Sequence, residues 1–204
     1  MDNATQNIQW NSIMTPFVNL GEGESLQHVI LLNQGIEETD LTYSLDGVRA
    51  TLDCVIIILA DEIVIPLNIN IIARAPQTSS SVRVRSIARN RARVMINGIL
   101  QCMEGADEST MHFSHHAIHL SADAQTRTIP SLEIKADGVQ AKHEVSIGYF
   151  DDQALWYGQA RGIDKGAMIS EMAKGFVSKD LQTIAADTDI TSITESVNTF
   201  MAHA

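Results

Sequence analysis

The chain has 204 residues, 45% hydrophobic and 19% charged, enough apolar content for one compact domain with a sizeable core. Aromatics make up only 5%, so that core is built from Ile, Val, Leu, Met and Ala. A formal charge of −11 excludes a sequence-independent grip on nucleic acid, which needs many Lys and Arg against phosphates, and excludes attraction to an anionic membrane surface.

In chain order, Met1-Asp2-Asn3-Ala4-Thr5-Gln6 has neither the basic start nor the apolar run of a signal peptide. From about Ile8 to Phe150 the pattern is β-like, with branched residues and a turn signal every dozen or so positions. Val29–Leu32 and Leu41–Leu45 read as strands, the second ending at Asp46-Gly47. The greasiest stretch, Cys54 to Ile72, is interrupted by Asp61, Glu62, Pro66, Asn68 and Asn70, which reads as consecutive buried strands and not as a membrane span. Val82–Arg85 and Val94–Ile96 alternate, the latter before Asn97-Gly98. Leu132–Lys135 and Val139–Ile147 flank the turn Ala136-Asp137-Gly138. Cys54 and Cys102 form no disulfide framework; both lie in apolar surroundings as buried reduced thiols, and the expected compartment is the cytoplasm.

Asp-Gly and Asn-Gly between apolar runs mark antiparallel hairpins and favour a jelly-roll sandwich. Short strands with frequent turns also suit a β-solenoid, but the turn spacing is too irregular to reveal a repeat, so the pattern leans to the sandwich. After Phe150 the character becomes helical. Asp151-Asp152 caps a helix over Gln153 to Arg161 with Gly162 at its C-terminal turn. Asp164 caps a second helix carrying Met168, Ile169, Met172 and Phe176. Asp189 or Thr191 opens a third with Ile190, Ile193, Val197, Phe200 and Met201 along one stripe. The expected organisation is a β core over residues 1–150 and a small C-terminal helical domain over residues 151–204.

Histidine carries the most chemistry. Four of seven fall in Met111-His112-Phe113-Ser114-His115-His116-Ala117-Ile118-His119. On a strand, His115 and His119 share one face and could begin an iron or zinc site, while His112 and His116 take the other. The remaining ligands appear in no recognised spacing, and the plainer reading is hydrogen-bonded strand histidines. A His-rich metal-dependent enzyme on a β-sandwich is therefore one functional alternative. His143-Glu144 is a second candidate pair, although neighbours on a strand face opposite sides. Gly21-Glu22-Gly23-Glu24 is no phosphate loop, and there is no GxSxG elbow. Arg83, Arg85, Arg89, Arg91 and Arg93 read as the solvated face of a strand.

The stretch from Thr128-Ile129-Pro130-Ser131-Leu132-Glu133-Ile134-Lys135-Ala136-Asp137-Gly138 through Val139-Gln140-Ala141-Lys142-His143-Glu144-Val145-Ser146-Ile147-Gly148 resembles the core of the SufB/SufD family of the SUF iron–sulfur cluster assembly system. Asp152-Gln153-Ala154-Leu155-Trp156-Tyr157 and Ala160-Arg161-Gly162-Ile163-Asp164 resemble its next helix. The resemblance covers most of residues 80 to 180.

It implies a mainly β protein, a right-handed parallel β-helix with a small C-terminal helical domain, in place of the sandwich. It implies an iron–sulfur cluster assembly protein with no turnover of its own, a scaffold or accessory subunit. The implied partners are a SufB/SufD-like subunit or a second copy, met through the β-helix, and a SufC-like ABC-type ATPase docked on the helices. Leu155, Tyr157, Met168, Met172 and Phe176 are the expected docking residues. The family's interface histidine falls on His143 and the acid of SufB-type subunits on Glu144. The position of the SufB cluster-building cysteine falls on His115, which can bind iron but cannot carry a persulfide. His143, Glu144 and His115 are thus the expected ligands of iron or a transient iron–sulfur cluster, with flavin left open. The chain reads as a short form without the family's N-terminal helical region.

Overall fold

The structure, a computed structural model, describes residues 5–10, 17–184 and 187–202. Met1–Ala4, read above for a leader, lie outside them. Eleven strands are found among the described residues: β1 (Thr5–Trp10), β2 (Phe17–Leu20), β3 (Ser25–Leu32), β4 (Thr39–Leu45), β5 (Thr51–Asp61), β6 (Val64–Ala73), β7 (Ser79–Arg89), β8 (Arg93–Cys102), β9 (Thr110–His119), β10 (Gln125–Ile134) and β11 (Gln140–Gly148). The odd strands form one sheet in the order β1-β3-β5-β7-β9-β11, and the even strands form the other, β10-β8-β6-β4-β2. Every pairing is parallel. Consecutive strands therefore lie in opposite sheets, and the chain winds as a flattened parallel β-helix of about five coils. This overturns the lean towards an antiparallel sandwich and supports the architecture implied by the resemblance.

The glycine dipeptides that suggested hairpins have other physical reasons. Gly47 turns the chain after β4, where an added Cβ would lie 1.9 Å from the Glu22 backbone nitrogen. Gly98 sits within β8, not in a turn; a Cβ there would lie 2.6 Å from the Phe113 ring. The absent repeat period also has a cause. Ser25, Thr51, Ser79, Thr110 and Gln140 stack in one column, so the register is strict while the turns between strands vary in length.

Two apolar clusters hold the fold. One fills the space between the sheets, with Ile30, Ile56, Val84 and Phe113 from the odd strands against Tyr43, Ile69, Ile96 and Leu100 from the even ones. The alternate residues of the odd strands, Val29, Leu31, Val55, Ile57, Leu59 and Ile87, face outward and are covered by helices. Burial on both faces explains the continuous apolar run of β5.

The covering helices are α1 (Asp152–Ala160), α2 (Lys165–Leu181) and α3 (Asp187–Ala202). Asp151 and Asp164 accept hydrogen bonds from the first amides of α1 and α2, as expected of N-caps. The third helix starts at Asp187, before either expected opening; the side chains of Asp189 and Ile190 lie outside the described residues. Ala173, Val177, Leu181, Ile193, Val197 and Met201 share the outer cluster with the sheet.

The arginines of β7 do not form a solvated face. Arg83 is ion-paired with Asp53 and donates to Thr183, Arg85 meets Asp180 at 2.5 Å, and Arg89 bonds Asp61 and the Phe200 carbonyl. Arg85 and Arg89 also lie over the Phe176 and Phe200 rings. The alternation was legible, but the helices that cover it were not. Both cysteines are buried free thiols, as expected. Among the described residues no helix is long and apolar enough to cross a membrane.

Candidate functional site at the open end of the solenoid

Parallel pairing carries each side chain's direction from coil to coil, so the inner face can be followed by register. His28, Cys54, Val82, Phe113 and His143 form one inward column. The first four are buried, whereas His143 is exposed. The reason is its layer. β11 pairs with β9, and no described strand pairs with its far edge; β10 ends the other sheet in the same way.

The neighbours of His143 share this position. Leu132 and Ile134 of β10 continue the columns of Leu100 and Cys102, and Val145 and Ile147 of β11 continue those of His115 and Ala117. Those inner residues are at most 2% exposed, yet Leu132, Ile134, Val145 and Ile147 are 40–46% exposed. Tyr149 follows, 63% exposed. The end of the solenoid thus presents core-type side chains around an imidazole, a surface that a monomer pays for in unburied apolar area. Sequence alternation identified β10 and β11 as strands but not as the last layer, so these apolar residues were not singled out.

The other sequence candidates are dispersed by the pleat. Glu144 points to the outer face, opposite His143. Its carboxylate is held below the usual range by the Lys142 hydrogen bond, then by the Lys142 charge. The His116 Nε2 stands 4.0 Å from Glu144, while its Nδ1 is hydrogen-bonded to the Ser146 hydroxyl at 2.6 Å. His115 is sealed one layer beneath the open end. Its Nε2 meets the Ser86 hydroxyl at 2.8 Å and its Nδ1 meets Thr128 at 2.7 Å, tying the two sheets together. Burial, then the charges of His116 and Arg85, lower its pKa to about 3, so it is neutral near pH 7. His119 shares that face, bonded to Thr126 at 2.9 Å and packed edge-on against Tyr149. His112 lies on the outer side, its Nε2 buried without a partner.

The tetrad is therefore split between two faces. No group of three His, Cys, Asp or Glu that could hold a metal ion occurs among the described residues. With the sandwich gone and the tract divided, the alternative of a His-rich enzyme on a β-sandwich loses its scaffold.

Sulfur chemistry from this chain is also disfavoured by environment. Burial pushes the Cys54 thiol up to about 12, and Cys54 lies 3.3 Å from the Tyr43 hydroxyl inside the coil. Burial, then the Asp107 charge, raises the Cys102 thiol too. Neither supplies a ready thiolate.

On the helical side, Leu155 is buried, and Met168, Met172 and Phe176 are half-buried. Tyr157 is exposed beneath the Arg161 guanidinium, 4.7 Å from the ring centroid. The most exposed large apolar residue there is Trp156, at 70%, followed along the chain by Ile163. Placing Leu155 on the buried side of α1 turns Trp156 outward, as the helical period of the sequence requires.

Comparison with known proteins agrees with this architecture. The family model described as SUF system FeS cluster assembly, SufBD core domain, matches residues 6–176. An iron-sulfur cluster assembly SufBD family protein of Mycobacterium tuberculosis (strain ATCC 25618 / H37Rv) is 28% identical over 103 residues, covering 50% of this chain and 12% of the relative. Proteins of the same description from Staphylococcus haemolyticus (strain JCSC1435) and Staphylococcus aureus (strain USA300) are each 23% identical over 161 residues, covering 78% of this chain and 32% of the relative. The chain thus spans a third or less of the length of these relatives. Since the family model covers most of a chain whose fold is a parallel β-helix ending in helices, the protein belongs to the SufBD core family of iron–sulfur cluster assembly.

Proposed function

We propose that this chain is a scaffold or accessory subunit of iron–sulfur cluster assembly, pairing through the open end of its solenoid with a SufB/SufD-like subunit or a second copy. The observation that carries the reading is the exposure of His143 among Leu132, Ile134, Val145 and Ile147, where the register puts core positions. A second solenoid end would bury that apolar surface and enclose His143 in a seam of low dielectric.

His143 is the ligand this chain brings to iron or a nascent cluster, which is cargo and not a resident cofactor. Glu144 offers a carboxylate on the outer side of the same strand, available only to a partner that wraps the edge of β11. His115 supports the floor of the seam through its Ser86 and Thr128 bonds and is not a free ligand. The remaining ligands and the sulfur come from the partner, since both thiols here are buried. An ABC-type ATPase docks on the helical side, where Trp156 and Tyr157 are the exposed aromatic anchors.

Sedimentation of the protein, with and without a candidate like subunit, tests the pairing. Val145→Asp/Ile147→Asp is expected to abolish association at a smaller cost to thermal unfolding than the same change one layer deeper, because both residues are 40% or more exposed in the single chain. Association unaffected by the double substitution would remove the open end as the pairing surface.

A further inference from the structure

Two adjoining depressions on the even-strand sheet share Met95 and Arg127, one on its outer face and one reaching round its β10 edge to His119 and Thr126. One, of about 410 Å³, is lined by Arg93, His119, Gln125 and Thr126 besides the shared pair. The other, of about 320 Å³, is lined by Glu38, Asn68, Asn97 and Ile129 among others. Register sets Gln125 beside Arg93 and Arg127 beside Met95, so the two arginines stand one pleat apart on neighbouring strands.

Their pairing is unlike that of most of the chain's arginines. Arg74, Arg83, Arg85, Arg89 and Arg91 each have a carboxylate partner. Among the described residues Arg93 and Arg127 have none, nor do Arg49 and Arg161, but only Arg93 and Arg127 line one depression, in a chain of net charge −11. Two guanidinium forks without carboxylate partners at one depression offer the charge and the paired donors that a phosphate dianion accepts. The far end of the groove has the opposite character. Asn97 donates to the Asn68 amide oxygen at 2.6 Å, and Asn68 donates to Asp40 at 2.8 Å and to Glu38 at 3.4 Å. Carboxylates there repel phosphate, which gives a ligand one orientation. Between the ends lie Met95 and Ile129, 39% and 41% exposed.

We propose that this groove binds a phosphomonoester the size of a nucleoside monophosphate. Its phosphate is held by Arg93 and Arg127, with Gln125 beside them. Its organic body lies over Met95 and Ile129, and its polar edge meets the Asn97 carboxamide. The site adjoins the open end, because Gln125, Arg127 and Ile129 lie on β10, the edge strand that also carries Leu132 and Ile134, so it is tested on the chain without a pairing subunit.

Calorimetric titration with inorganic phosphate and with adenosine 5′-monophosphate tests it, using wild type, Arg93→Gln/Arg127→Gln and Asn97→Ala. All three positions are surface strand residues, and matching thermal melts confirm that the variants fold. Adenosine monophosphate is expected to bind more tightly than inorganic phosphate. The arginine double variant should weaken both by about tenfold or more, as expected for lost charge-assisted hydrogen bonds. Asn97→Ala should weaken adenosine monophosphate and leave inorganic phosphate unchanged. Absence of binding of either probe at millimolar concentration, or equal affinities for wild type and the arginine variant, overturns the site. Inorganic phosphate binding as tightly as the nucleotide overturns the organic ligand.

Discussion

The Arg85 guanidinium and the Asp180 carboxylate meet at 2.5 Å across the seam between β7 and α2, each side chain 10% exposed. Arg83 reaches the other oxygen of the same carboxylate at 4.0 Å. One acid on the helix therefore answers two arginines on the sheet, and the helical tail is fastened by charge as well as by apolar packing.

Removing the acid leaves Arg85 buried and unpaired, with only the Phe176 ring and no carboxylate. Asp180→Ala is expected to destabilise the fold by about 3 kcal/mol, the usual cost of breaking one partner out of a buried pair. Urea unfolding measures this. A loss within the range of an exposed ion pair, below about 1 kcal/mol, would show that the seam is wetter than its burial indicates.

The close fit of Gly98 beneath Phe113 gives a second prediction. Phe113 is fully buried, and a Cβ at residue 98 would lie 2.6 Å from two atoms of its ring. Gly98→Ala should cost about 1–3 kcal/mol through overpacking, and adding Phe113→Leu should recover part of that loss. Thermal melts of the single and double variants test the coupling; strictly additive effects would contradict it.

Acid should weaken the fold. Burial lowers the pKa of His28 to about 4 and, with the charges of His116 and Arg85, that of His115 to about 3, from an ordinary value of 6.5. The unfolded chain therefore takes up protons first. The contribution to stability is complete above about pH 6.5 and is lost as pH falls towards the folded values. Burial lowers His116 and His119 in the same direction. Urea midpoints at about pH 7 and about pH 5 should show the decline, and His115→Gln should flatten it relative to wild type. A midpoint independent of pH would contradict the burial of these imidazoles.

Cys54 should be silent to alkylation in the native protein, because its thiol is fully buried and pushed up to about 12. Cys102, also fully buried, should be silent in the native protein as well. Mass spectrometry after iodoacetamide treatment should find both modified only once the chain is unfolded. Native labelling of Cys54 would reopen a sulfur-carrying role for this chain.

Much of the fold was legible residue by residue, and its topology was not. The strands around Val29, Val55 and Val82, the caps Asp151 and Asp164 and the strand-to-helix switch after Phe150 follow from local pattern, and the structure contains them. Whether neighbouring strands pair or stack in opposite sheets is a long-range fact. Asn97-Gly98 misled because its glycine answers the Phe113 ring on another strand and not a turn. The motif resemblance around His143 corrected the topology where periodicity could not. It did not reveal that β11 is the last described layer, and it could not separate His143 from Glu144 beyond the alternation of the strand. The burial of Arg83, Arg85 and Arg89 was hidden for the same reason, since their partner Asp180 and the Phe200 carbonyl lie about a hundred residues downstream.

The most direct measurement is iron retained after anaerobic reconstitution with iron and sulfide in the presence of a like subunit and the ATPase, comparing wild type with His143→Ala. The exposed imidazole at the solenoid end predicts that the wild-type assembly keeps iron through gel filtration and that the variant, equally folded and equally paired, loses it. Equal iron retention by the two assemblies would contradict His143 as a ligand at the seam.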